Sequence, residues 1–241
     1  MKRAFRLLVF FTVLCGFNSC MDDDVKMRDG EAGGGKYREI ERLGLSDEAE
    51  AAGRAGYDGN AAELEKLKGS NLVSDYCAGA ALAGHNELVL QCLEHGATPS
   101  AALWGATMGG HTELAYLMLS KGADPNDVIE QVARTGDDDA VTFLIDCGAD
   151  VDMAIVGAAI GGREDTIRLL IDRGADPNFA LLGAASAGQL AIIKQMLAHP
   201  DVYINATDHS GRTALDLAEM YEHEDCARYI YSVGGKCRSE F

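Results

Sequence analysis

A glycine recurs every 26 residues through most of this chain: Gly84, Gly110, Gly136, Gly162 and Gly188. A second series keeps the same step, with Gly96, Gly122, Gly148 and Gly174, and Pro200 in the next slot. Two interlocked series at one period mark a stacked repeat. That limits the fold to a quasi-linear array in which each unit buries its apolar face only against its neighbours. It also bears on function, because such arrays usually present an extended surface rather than a pocket for chemistry.

Residues 101–126 serve as the model unit. The pattern predicts a short helix over 101–108, a break at Gly109-Gly110, and a second helix over 112–120 carrying Leu114, Ala115, Leu117, Met118 and Leu119. Gly122 suits the left-handed turn at a helix end, and Pro125 keeps the helix from resuming. Equivalent slots keep their chemistry. Leu88, Leu114, Ala140, Thr166 and Ile192 share one; Cys92, Met118, Leu144, Leu170 and Met196 a second; Leu93, Leu119, Ile145, Ile171 and Leu197 a third. In the first helix Cys77, Leu103, Ile129, Ile155 and Leu181 align, and the pairs Ala80-Ala81, Ala158-Ala159 and Ala184-Ala185 let helices approach closely. Upstream, Ser46 before Asp47 and Asn60 before Leu64 begin two further helices. They form a worn first repeat whose register stays open.

These marks together resemble the ankyrin repeat family: the glycine–alanine–aspartate turn, Gly84-His85, Gly110-His111 and the alanine pairs. Near the end, Asp208, Gly211, Thr213, Leu215 and Ala218 fall on the family pattern, although Ala214 and Asp216 replace its usual Pro and His. The resemblance covers about residues 50–235 and implies an all-α solenoid of six to seven stacked helix-turn-helix repeats. Gly188 to its equivalent, Glu222, spans 34 residues. The other repeats are about seven short of the family's usual 33. The missing stretch is where the family places its β-hairpin finger, so only the last repeat should carry one.

The N-terminus reads as an address. Lys2, Arg3 and Arg6 precede the apolar run Leu7 to Leu14, then come Gly16, Ser19 and Cys20. A basic start, a short apolar run and small residues mark a secretory signal. This resembles a bacterial lipoprotein signal, in which the cysteine becomes the lipidated first residue; Phe17 departs from the usual leucine. The resemblance implies lipidation at Cys20 and a membrane anchor there. An ordinary cleaved signal or an uncleaved anchor helix are the alternatives. Asp22-Asp23-Asp24 resembles the export signal of some Gram-negative surface lipoproteins. The expected organisation is a signal at 1–20, an acidic glycine-rich linker at 21–45, a repeat domain at 46–235 and a tail at 236–241. The expected location is the cell envelope, at the outer membrane or surface, with a periplasmic or secreted protein as the alternative.

Charge narrows the partners. Beyond residue 20 the chain has 18 basic and 38 acidic side chains, about −20. Such a surface repels phosphate backbones, which argues against nucleic acid and for a basic partner. In the ankyrin family partners often meet the concave side, including the last positions of each first helix. The resemblance therefore points to Leu82, Met108, Arg134, Ile160, Ser186 and Tyr221 as partner-binding positions. Leu82, Met108 and Ile160 would form an exposed apolar row interrupted by Arg134. Trp104 stands where the family's histidine usually bonds between repeats; it is either a hot spot for binding or a space-filler between helices.

Signals for chemistry are weak. His223, Glu224, Asp225 and Cys226 cluster in sequence, but Cys226 occupies an apolar slot. His85 and His111 read as serving the helix turn. Cys147, in the slot of His95 and His199 near a helix end, is the best candidate for an exposed reactive thiol, with no base implied beside it. No zinc spacing, nucleotide fingerprint or serine elbow appears, so no cofactor, metal or small-molecule substrate is expected. The reading is a non-enzymatic, monomeric protein-interaction module. The alternatives are an inhibitor or immunity protein, a thiol-dependent enzyme, and a structural envelope protein with no dedicated partner.

Overall fold

The repeat pattern builds fourteen α-helices among the described residues, which in this computed structural model are 47–240. The signal, the linker and Cys20 lie outside them. The helices form seven consecutive pairs. These are α1 (Asp47–Tyr57) with α2 (Ala61–Leu67), α3 (Leu72–Leu82) with α4 (Asn86–Glu94), α5 (Pro99–Gly109) with α6 (Thr112–Ser120), and α7 (Ile129–Thr135) with α8 (Asp138–Asp146). They continue as α9 (Val151–Ile160) with α10 (Glu164–Asp172), α11 (Pro177–Ser186) with α12 (Leu190–Leu197), and α13 (Ala214–Met220) with α14 (Glu224–Ser232). The second helix of the model unit keeps its predicted limits. The first begins two residues early, because Thr98 caps it and Pro99 sits in its first turn.

The core runs the length of the array. Cys77, Leu103, Ile129, Ile155 and Leu181 are wholly buried, and so are Cys92, Met118, Leu144 and Leu170. The slot of Leu93, Leu119, Ile145, Ile171 and Leu197 is half-buried against that core. First helices pack on first helices at backbone contact. A side chain at Gly79, Gly105 or Gly157 would collide with the carbonyl oxygens of Gly53, Ala78 and Glu130, one repeat back. This is why small residues recur there. Gly59, with φ +72°, stands at the position of Gly84 and fixes the register of the first repeat, one residue short of the common period.

The extra residues of the last repeat lie between α12 and α13. Among the described residues they hold the one β-bridge, Thr207 with Thr213. Asp208 closes the loop by accepting the Arg212 and Ser210 backbone N–H groups and pairing with the Arg212 guanidinium at 2.6 Å. That is the single finger the repeat lengths predict. Asp216, which departs from the family pattern, completes a capping box with Thr213 and also accepts the backbone N–H of Arg238. Arg238 in turn donates to the Ser210 carbonyl at 2.6 Å. The residues after α14 are thereby tied to the finger.

Candidate functional site

Directly after the turn position, five side chains reach back one repeat as a clasp. His85 Nε2 donates to the Tyr57 carbonyl at 2.9 Å, His111 to Leu82 at 3.1 Å, and His223 to Ser186 at 3.1 Å. Arg163 Nε donates to Arg134 at 2.8 Å and Gln189 Nε2 to Ile160 at 3.1 Å. The acceptor is always a carbonyl near the C-terminal end of the preceding first helix, which lacks a partner inside its own helix. His85 and His111 therefore bridge repeats rather than serve their own turn. The recurring signal was a long N–H donor directly after the glycine.

Burial corrects the expected apolar row. Leu82 and Met108 are each 4% exposed and belong to the continuous core, so they present no stripe to solvent. Trp104 is 9% exposed and packs in the same core, as a space-filler does. The remaining positions lie differently. Arg134, Ile160, Ser186 and Tyr221 are half-buried, and Met220 beside Tyr221 is exposed. Together they follow the first-helix ends of the last four repeats. Burial raises the pKa of Glu130, one turn before Arg134 on α7, and the Arg134 charge lowers it in part.

The candidates for chemistry do not converge. Cys147 is half-buried rather than exposed, and burial together with the neighbouring Asp146 pushes its thiol up, away from the nucleophilic thiolate. Cys226 is buried with its thiol raised by burial, while the His223 ring is committed to Ser186. Among the described residues no cluster of His, Cys, Asp and Glu can hold a metal ion. No helix among them is long and apolar enough to cross a membrane. Open hollows lie on the surface of the described residues. One lies beside Ala51, Ala55 and Leu72 at the first repeat, another beside Gly188 and Glu222.

No match to a curated protein was found. Ankyrin repeats generally mediate protein–protein interaction, and proteins built of them are typically binding modules rather than enzymes. Residues 155–240 match the family model described as ankyrin repeats (3 copies), in keeping with the helical repeat solenoid seen here.

Proposed function

We propose that this chain is a protein-interaction module held at a bacterial cell envelope through a lipidated Cys20, and that its partner lies along the first-helix ends of the last four repeats. The observation that carries the reading is the row Arg134, Ile160, Ser186 and Met220-Tyr221. These residues change character from repeat to repeat while the buried slots beside them hold theirs. A surface that varies on a constant frame is how a repeat array acquires a specific partner. The acidity of the chain favours a basic partner, drawn in by charge and released by salt. The basic start, apolar run and small residues before Cys20 support the envelope location.

A photo-reactive amino acid placed at Ser186, in cells making the full chain, tests the binding face. One dominant cross-linked protein at Ser186, absent when the same group sits at Tyr116 on α6, is the expected result. Equal cross-linking at both positions overturns the assignment of the face. Replacing Cys20 by Ser tests the anchor: the protein should leave the membrane fraction, and continued retention there would contradict lipidation.

A further inference from the structure

One joint of the array is built differently from the others. First helices pack in succession from α1 to α3 to α5, and again from α7 to α9, α11 and α13, but α5 and α7 do not pack along their lengths. Instead α5 rests on the 3-10 turn Pro125–Asp127 and on α8. The residues at this joint differ slot by slot. Val128 stands where Ala102, Ala154, Ala180 and Ala214 stand in repeats three, five, six and seven, while repeat two holds Tyr76 there and still packs on both sides. The first helix of repeat four also starts late, with Val128 as its N-cap at φ −125°.

The facing pair is also enlarged. Ala81 faces Gly105 and Ala159 faces Gly183, each pair separated by little more than an added methyl. Their equivalents across the α5–α7 joint are Thr107 and Gln131. At the joint before α13 the equivalents are Ala185 and Leu217, so one member stays small and those helices still pack. Only between α5 and α7 are both large. On α5, Thr107 Oγ1 and Trp104 Nε1 are buried with no hydrogen-bond partner, as are Tyr76 Oη and Gln195 Oε1 elsewhere.

The clasp changes here as well. Its slot holds Asp137, a carboxylate with no N–H to give, which accepts the Ala140 N–H of its own helix instead. Correspondingly, nothing lies over Gly110, whereas Gly84 is covered by His111 and Gly136 by Arg163. What crosses the joint lies elsewhere: Ser100 donates to Asp127 at 2.7 Å, and Tyr116 meets Phe143 edge-on at 5.3 Å between the second helices.

We infer that the α5–α7 joint is a hinge that divides the solenoid into two rigid halves. It is held at Ser100–Asp127 and Tyr116–Phe143, and Asp137 gives no clasp across it. A rigid stack with one compliant joint moves by changing the angle between its halves, as in other hinged proteins. Opening alters the curvature along which the two halves present their first-helix ends. The inference stands independently of any partner.

Spin labels on noncanonical amino acids test it in the full chain by pulsed electron paramagnetic resonance. Glu87, Asp139 and Ala191 are exposed, equivalent, and two repeats apart. The Glu87/Asp139 pair spans the joint and the Asp139/Ala191 pair does not. The spanning pair should give a distance distribution about twofold broader than the other. The variant Thr107→Ala/Gln131→Gly/Asp137→His should narrow it. Equal widths for the two unmodified pairs overturn the hinge, whether both are narrow or both broad, and that comparison needs no variant to fold. A spanning distribution unchanged in a folded variant overturns the assignment to these three residues.

Discussion

The ring of His111 lies over Gly84, its Nε2 3.1 Å from the carbonyl oxygen of Leu82. One side chain thereby does two things for the joint. It satisfies a carbonyl at the end of α3, and it occupies the space that a side chain at residue 84 would need. The turn glycine is thus required twice, by its φ of +78° and by the ring above it.

The contrast with Gly110 makes this measurable. Gly110 has a similar φ, +74°, but nothing lies within 4 Å of where its Cβ would sit. Gly110→Ala should cost only the left-handed backbone penalty, about 1 kcal/mol. Gly84→Ala should cost about 1 kcal/mol more, because the clasp to Leu82 is lost as well. Urea denaturation of both variants checks the difference; equal losses would contradict the dual role.

Glu222 occupies the same turn position in the last repeat and adopts φ +60°, the one non-glycine residue with positive φ among those described. An exposed glutamate gains nothing from that conformation. Glu222→Gly should therefore stabilise the protein by about 1 kcal/mol. A thermal unfolding midpoint that stays put or falls would contradict this.

The finger should depend on pH. Burial opposes ionisation of Asp208, but the Arg212 and Ser210 backbone N–H groups and the Arg212 guanidinium outweigh it and lower its pKa. Asp216 is likewise lowered, despite burial, by the N–H groups of Thr213 and Arg238. A carboxylate with a lowered folded pKa stabilises above its unfolded pKa of about 4 and loses that contribution as pH falls through the folded value. Asp208→Asn should cost about 2 kcal/mol near neutral pH. The gap between the two proteins should close as the pH is lowered below about 4. A gap independent of pH would show that the charge is not what holds the loop.

Cys147 should react slowly. With its thiol pushed up by burial and by Asp146, alkylation by iodoacetamide near pH 7 should run no faster than that of an unstructured cysteine. A markedly faster rate would revive the thiol-dependent enzyme.

The period, the buried slots and the absent fingers were legible because each depends on residue type at a fixed spacing. Cys77 and Ile129 are buried wherever the array is stacked, and a repeat seven residues short has no chain to make a hairpin. The clasp was harder to see, because His111, Arg163 and Gln189 share only a reachable N–H and their acceptor is backbone. The burial of Leu82 and Met108 was hidden for a related reason. How far one repeat covers the end of another depends on the approach of two backbones, and Gly109 against the Leu82 carbonyl sets that approach in space, not in sequence. The first repeat escaped registration because Gly59 precedes Gly84 by 25 residues rather than 26.

The central claim is that the last four repeats present a partner-binding face. Its most direct test is the affinity of the cross-linked partner for the intact protein, for Ile160→Glu on that face, and for Tyr116→Glu on α6, after circular dichroism shows that all three fold equally. The account predicts that Ile160→Glu weakens binding at least tenfold, as loss of a contact worth about 1.4 kcal/mol does, while Tyr116→Glu leaves it unchanged. Binding that survives Ile160→Glu and fails in Tyr116→Glu would move the partner to the second helices and contradict the account.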